Sequence, residues 1–449
     1  MLSDAHGLPL STSDARAVAA FDHAVLGFLK YRADLPARLG ALLEAAPDMT
    51  MAQVLKGCLV MLSFKAANVP AARAALAAAE ATAVGATPRE RRHIAALAAW
   101  IGGDLDRTLA IWEEALAEHP ADVLAFRLHH FLAFWMGECD RMRRAADRAV
   151  EAIGAGQPGY ATARACRAFA LEELGHYAEA ERDGRTALDL DRGDVWAAHA
   201  VAHVMEMQGR VAEGIAFLDA LEPEWGGANN LTHHLWWHRG LYHFEAGDFA
   251  AVLDLYDRRF RDLASPLTVA QPDVYIDVQN AVSMLFRLER QGVDVGGRWV
   301  ELADKAEARI GDCLSAFTLP HWMLALAATR RFEAAGRMIA AMEAAAADPR
   351  TTVAPLLGQH ALPIARAVLA RAKGEPARAC ELMRPALMGM ARLGGSHAQQ
   401  DVLEQLFLDC ALAAKRRDDV RLIVARASTR FEVPPARRRG WAEAARMAG

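Results

Sequence analysis

The chain has 449 residues, 53% of them hydrophobic, and a formal net charge of −5. That is enough apolar matter for a large core. The charge balance offers no basic excess to neutralise phosphates, which argues against nucleic-acid binding.

The opening segment MLSDAHGLPLST lacks the basic-then-apolar pattern of a secretory signal. No apolar run is expected to reach the length of a membrane span, so a cytoplasmic protein without membrane contact is the expectation. The six cysteines are scattered and form no Cys-x-x-Cys pair, which suits a reducing compartment. Alanine is abundant, and alanine-rich stretches with scattered Leu, Glu and Arg favour helix because Ala loses no side-chain entropy there. No convincing strand is predicted. Residues 1–90 read as an N-terminal helical cap.

From 91 to 260 one element recurs: a glycine, a polar residue, a short turn and an Ala-rich helix. It begins at Gly103, Gly137, Gly175, Gly209 and Gly247, with spacings of 34, 38, 34 and 38 residues. Tetratricopeptide units repeat every ~34 residues as helix–turn–helix. The glycine frees the backbone where the first helix ends, and small residues such as Ala115, Ala180 and Ala187 follow where two helices touch. Residues 261–449 read as degenerate copies and a C-terminal cap, with one clear copy at Gly374 and a degraded one at Arg330. The predicted fold is therefore all-α. It is a right-handed α-solenoid of tetratricopeptide-like helical hairpins, about nine pairs, some degenerate, in one continuous solenoid.

In tetratricopeptide proteins the first helix of each unit lines the concave face. For the unit ending at Gly209 the groove positions are Trp196, His199, His203 and Glu206. Steps of three and four residues place them on one helical face without that resemblance. The next unit carries His234 and His238, four residues apart, interleaved with Trp237. Further along, Asp277 and Asn280 share a face, His321 opens a first helix, and Gln400 and Asp401 lie on a polar stripe with His397 and Glu404. The Gly-Gly pairs at 102, 226, 296 and 394 follow no strand and carry no Lys-Ser/Thr ending, so they are not phosphate loops.

Several longer stretches resemble the tetratricopeptide repeat protein 38 family. They are DVWAAHAVAHVMEMQGR (194–210), HHLWWHRGLYHFEAGDF (233–249), SMLFRLERQGVDVGGRW (283–299) and GGSHAQQDVLEQL (394–406), together with GLPLST (7–12) and PRERRHIAAL (88–97). The resemblance spans nearly the whole chain. It implies a lone helical solenoid without an appended catalytic domain, and no established reaction. It carries over His199, His203, Glu206, His234, His238, Asp277, His321, Gln400 and Asp401. At His233 and His397 it leads one to expect other residues.

These clusters point first to a binding protein. Its groove or cavity would hold a small polar ligand or peptide segment through Trp196, His199, His203, Glu206, His234, Trp237, His238, Asp277, Asn280, His321, Gln400 and Asp401. The alternative is an enzyme using His203, Glu206 and Asp277 for acid–base chemistry, metal-assisted or not. No cofactor is expected and no metal is assigned. If one binds, His199 and His203 at i and i+4 are the chelating pair, with Glu206, His234 or His238 to complete the shell. The glutamate of the zinc-protease motif is missing between them. A scaffold that recruits proteins by its edges is a third reading, and pairing into a homodimer is compatible with a degenerate unit. A solenoid of this length is expected to curl until its polar clusters face one cavity.

Overall fold

The computed structural model describes residues 1–448. Two helical hairpins come first, Ala15–Leu29 with Leu35–Ala45 and Thr50–Met61 with Val69–Ala81. Nine more follow, from Pro88–Ile101 with Leu105–Glu118 to His397–Ala413 with Arg417–Arg430, with the short helix Pro266–Ala270 between two of them. The described residues thus hold eleven pairs where about nine were expected for the whole solenoid. The expectation of no strand needs one correction: Leu2–Ser3 pairs antiparallel with Pro9–Leu10. The turn between them is made locally, by Asp4 Oδ1 accepting from the His6 and Leu8 amides and by Gly7 at φ +75°.

The repeated turn glycines do what their spacing implies. Gly103, Gly137, Gly175, Gly209, Gly247 and Gly374 all adopt positive φ where one helix gives way to the next. In the degenerate units the same position is held by Arg330 at φ +56° and Lys415 at φ +55°. A side chain in the left-handed region costs about 1–2 kcal/mol, so these turns are imposed by packing on both sides.

First and second helices differ in burial. Val195–Met207 is buried at every residue but Glu206, whereas in Tyr177–Leu190 only Ala180, Asp183, Gly184, Ala187 and Leu188 are buried. The first helices are therefore enclosed on both sides, by their own partner and by the interior. Contacts distant in sequence supply that enclosure. Arg32 Nη1 donates to Gly226 O at 2.9 Å and the Asn229 amide donates to Tyr31 O at 2.6 Å. Lys65 Nζ meets Asp273 at 2.7 Å, and Arg309 Nη2 donates to Phe64 O at 3.1 Å. The Thr352 amide donates to Gly103 O, and the Glu432 and Val433 amides donate to Met207 O. The N-terminal hairpins thus seat on the loops of later repeats, and the C-terminal segment seats on the fourth and fifth turns.

The expectation that no apolar run reaches membrane-span length is corrected on length and composition. Val353–Ala372 has 20 residues and a mean hydropathy of 1.2 in its most apolar window, of which 61% is buried inside the protein. A π-helical turn, Leu357–Ala361, interrupts its α-helical hydrogen bonding, and it packs on Phe332–Ala346.

A buried ionic knot ties the first strand pair to the repeats. Asp122 caps the Val123–Trp135 helix and accepts from Arg89 Nε at 2.6 Å and His93 Nε2 at 2.9 Å, while Arg89 also donates to Asp4 at 2.9 Å. Burial pushes the Asp122 carboxyl up, but the Arg89 and His93 charges and hydrogen bonds outweigh it and hold it well below the usual range. A carboxyl lowered in the native state contributes stability that is complete above the unfolded value of about 3.9. That stability is lost as pH falls through the lowered native value. In urea titrations the wild-type midpoint is therefore expected to fall more steeply below about pH 4 than that of Asp122→Asn. Parallel acid limbs would remove this role.

Candidate functional site

Helical periodicity builds the centre of the site. Asp194 caps the Val195–Met207 helix by accepting from the Trp196 and Ala197 amides, and this sets the register of His199 and His203. The neighbouring first helix, Leu231–Ala246, presents His234 and His238 at the same spacing. The four imidazoles are almost fully buried and meet face to edge. Ring centroids lie 4.4 Å apart for His199–His203 and for His203–His238, 4.7 Å for His234–His238 and 4.8 Å for His199–His234. One ring nitrogen from each falls within 4.8 Å of the other three.

The surroundings fix the tautomers of two rings. His238 Nδ1 donates to Glu206 Oε2 at 2.8 Å, and His234 Nδ1 donates to Asn280 Oδ1 at 3.2 Å. Each therefore turns an unprotonated Nε2 toward the cluster. His234 Nε2 stands 3.0 Å from His199 Nε2. His238 Nε2, His199 Nδ1 and both nitrogens of His203 have no hydrogen-bond partner. Burial, reinforced for His199, His234 and His238 by the neighbouring rings, holds all four imidazoles below their usual pKa and hence neutral.

Two buried carboxyl groups, Glu172 and Glu173, and the partly buried Glu206 flank this centre. Glu172 Oε2 lies 3.6 Å from His203 Nδ1, Glu173 accepts from the His397 amide at 3.2 Å, and Glu206 holds His238. Burial first of all pushes Glu172 up to about 8 and Glu206 to about 7, and raises Glu173 well above the usual range. Among the described residues no lysine or arginine forms an ion pair with any of the three. Glu172 and Glu173 were not singled out from the sequence. The signal was present: Glu172 stands three residues before Gly175, as Glu206 stands three before Gly209.

The other residues singled out from the sequence divide. Trp196 packs on His199 and Trp237 stacks on His234, with centroids 4.6 and 5.1 Å apart. Asn280 orients His234. Asp277 does not join His203 and Glu206. It pairs with His233 Nδ1 at 2.9 Å and with Asn230, so the three residues proposed as acid–base groups do not form one hydrogen-bonded set. His203 and Glu206 are themselves not hydrogen-bonded to each other. His321 donates to Phe317 O of its own helix. Gln400 donates to Gly394 O and Gly395 O, and Asp401 binds Arg287, Arg438 and Trp441. The last two hold the C-terminal segment in place.

Beside the histidines lies a chamber of about 810 Å³. His199 and His234 stand in its wall with the rings of Tyr31, Phe131, Trp196 and Tyr275. Trp135 also lines it. Lys56, Lys65, Lys305 and Arg309 line it too, against a single acid, Asp273. Asp273 is already taken by Lys65 and Arg309, whereas Lys56 and Lys305 have no acid partner among the described residues. Behind the aromatic wall Arg127 is fully buried and forms no ion pair with a carboxylate among the described residues. Its guanidinium stands 4.3 Å from the Phe131 ring centroid and 4.9 Å from that of Trp196, and donates to Cys166 Sγ and to the Tyr31 hydroxyl.

Stacked hairpins, left-handed turns and repeated small-residue helix contacts decide the architecture. The fold is of the tetratricopeptide type. No family model matches the chain. Solved structures with some likeness include the P58(IPK) TPR domain, at 13% identity over 74% of this chain and 99% of that one, with a TM-score of 0.23. Another is Naa15/Naa10 bound to HypK-THB, at 13% identity over 92% of this chain and 68% of that one, with a TM-score of 0.26.

Proposed function

We propose that the protein is a binding solenoid of the tetratricopeptide repeat protein 38 kind, and that its chamber takes a small anionic ligand with an apolar body. The observation that carries this reading is the lining of the chamber: aromatic walls, two lysines without acid partners, and a buried carboxylate-free guanidinium behind the wall. The volume falls in the range of about 300–1,000 Å³ usual for small-molecule sites. Flat apolar groups gain by displacing water from the rings, and a carboxylate, sulfonate or phosphate completes Lys56 and Lys305. The carboxyl end of a peptide is the same chemistry on a larger molecule. The enzyme reading on His203, Glu206 and Asp277 gains no support from the chamber, since none of the three lines it.

The test uses anilinonaphthalene sulfonate, a fluorescent aromatic anion, and uncharged Nile red. Saturable sulfonate binding that weakens with added salt is expected. The Lys56→Glu/Lys305→Glu variant is expected to weaken it at least about tenfold, equivalent to about 1.4 kcal/mol, and to leave Nile red binding unchanged. Equal weakening of both dyes, or of neither, would refute the anionic ligand.

A further inference from the structure

We infer that His199, His203, His234 and His238 form a binding site for one divalent first-row transition-metal ion, zinc foremost. Four imidazoles from two adjacent helices bring one ring nitrogen each within 4.8 Å of the other three. Zinc binds nitrogen ligands at about 2.0–2.1 Å, so the rings draw inward when they close on an ion. Imidazole is a ligand for zinc, copper, iron and nickel alike. A tetrahedral arrangement of the four rings would favour zinc over copper and nickel, which take square-planar geometry.

Two independent features support the site. The first is the unmet demand of the rings. A buried polar atom without a partner costs about 1–3 kcal/mol, and His203 leaves both of its nitrogens in that state, with one more on His199 and one on His238. His199 Nε2 and His234 Nε2 stand 3.0 Å apart in a hydrogen bond that a cation would replace. A cation between the rings takes up these lone pairs together.

The second feature is the outer layer. Metal-bound histidines as a rule give their other N–H to a carboxylate or carbonyl, which fixes the ring and its tautomer. Glu206 does this for His238 and Asn280 for His234.

A fully ligated ion clips the Val195–Met207 and Leu231–Ala246 helices together. It also sits at the chamber wall, where His199 and His234 are exposed to a bound ligand. The site does not depend on the ligand proposed for the chamber. Its histidines can bind metal whether or not the lysines bind an anion.

The test begins with the full-length wild-type chain, purified without a polyhistidine tag and without chelator from zinc-supplemented cells. Metal analysis is expected to find about one equivalent of zinc. After removal of the metal, titration with Co²⁺ is expected to give the intense visible bands of tetrahedral cobalt, saturating at about one equivalent. His203→Gln and His238→Gln are each expected to abolish the bands. Glu206→Gln is expected to weaken binding about 10–100-fold, and Asp277→Asn, whose partner is His233, to leave it unchanged. Wild-type protein that holds less than about a tenth of an equivalent and shows no cobalt bands would overturn the proposal, and this result requires no variant to fold. Undiminished bands in both histidine variants would overturn it equally. Sulfonate-dye binding, measured on the same metal-free protein, reports separately on the chamber.

Discussion

Asp401→Ala is expected to cost about 3–5 kcal/mol, the range for removing one partner of a buried ion pair. Asp401 Oδ2 accepts from Arg287 Nη2 at 3.2 Å, and Oδ1 accepts from Arg438 Nη2 at 2.7 Å and Trp441 Nε1 at 3.0 Å. Both guanidiniums are buried, so deleting the carboxylate leaves two cations facing each other in the interior. Burial pushes the Asp401 carboxyl up, but the Arg438 and Arg287 charges prevail and bring it down to about 2. Against an unfolded value of about 3.9, this lowering corresponds to stability on the order of 2–3 kcal/mol. That contribution is fully present above about pH 4 and lost as pH falls through about 2. Chemical denaturation at neutral pH measures the loss. Limited trypsin digestion adds a local readout, since release of the C-terminal segment exposes Arg438 and frees the backbone beside the already exposed Arg437 and Arg439. A variant with wild-type stability and an uncut C-terminus would show that Asp401 does not hold the segment.

How far the fold was legible depends on which signal each part uses. The turns at Gly103, Gly137, Gly175, Gly209 and Gly247 are written in single residues whose backbone requirement is local, so spacing alone reveals them. Arg330 and Lys415 take the same conformation against their own preference. There the geometry is set by tertiary packing, and the sequence shows only a faint repeat. The strand pair at the N-terminus rests on one aspartate and one glycine, too short a signal for periodicity to detect. Val353–Ala372 was misjudged for another reason. Its apolar run includes alanine, proline and glycine, which a search for bulky residues overlooks.

The candidate site divides along the same line. His199, His203, Glu206, His234 and His238 share faces because a helix repeats every 3.6 residues, and that much can be read directly. Which groups meet across helices cannot. Glu206 bonds to His238 and not to His203, whose nitrogens have no hydrogen-bond partner, and Asp277 bonds to His233, the histidine that family resemblance had set aside. The chamber was least legible of all. Lys56 comes from the N-terminal hairpins, Trp196 from the middle and Lys305 from the later repeats. They are neighbours because the solenoid coils back on itself, and no local pattern encodes that return.

Gly394→Val is expected to break this return, at a cost of about 3–5 kcal/mol. Gly394 has φ +82° and ψ −171°, a region open essentially to glycine alone, where other residues cost about 1–3 kcal/mol. The space is closed as well: a Cβ would run into the Trp135 carbonyl, which is backbone and cannot swing aside. Overpacking of that kind adds about 1–3 kcal/mol. On the opposite side of the seam, Gly137 meets the Ala391 carbonyl in the same way, so two turns far apart in sequence press backbone to backbone. Gly374→Ala is the matched comparison. Gly374 also has positive φ, at +82°, but its Cβ would meet nothing within 4 Å, so only the backbone penalty of about 1–2 kcal/mol applies. Because Trp135 lines the chamber, Gly394→Val is expected to weaken sulfonate-dye binding as well as stability, whereas Gly374→Ala leaves the dye site intact. Equal losses of stability in the two variants, with dye binding unchanged in both, would mean that the seam does not shape the chamber.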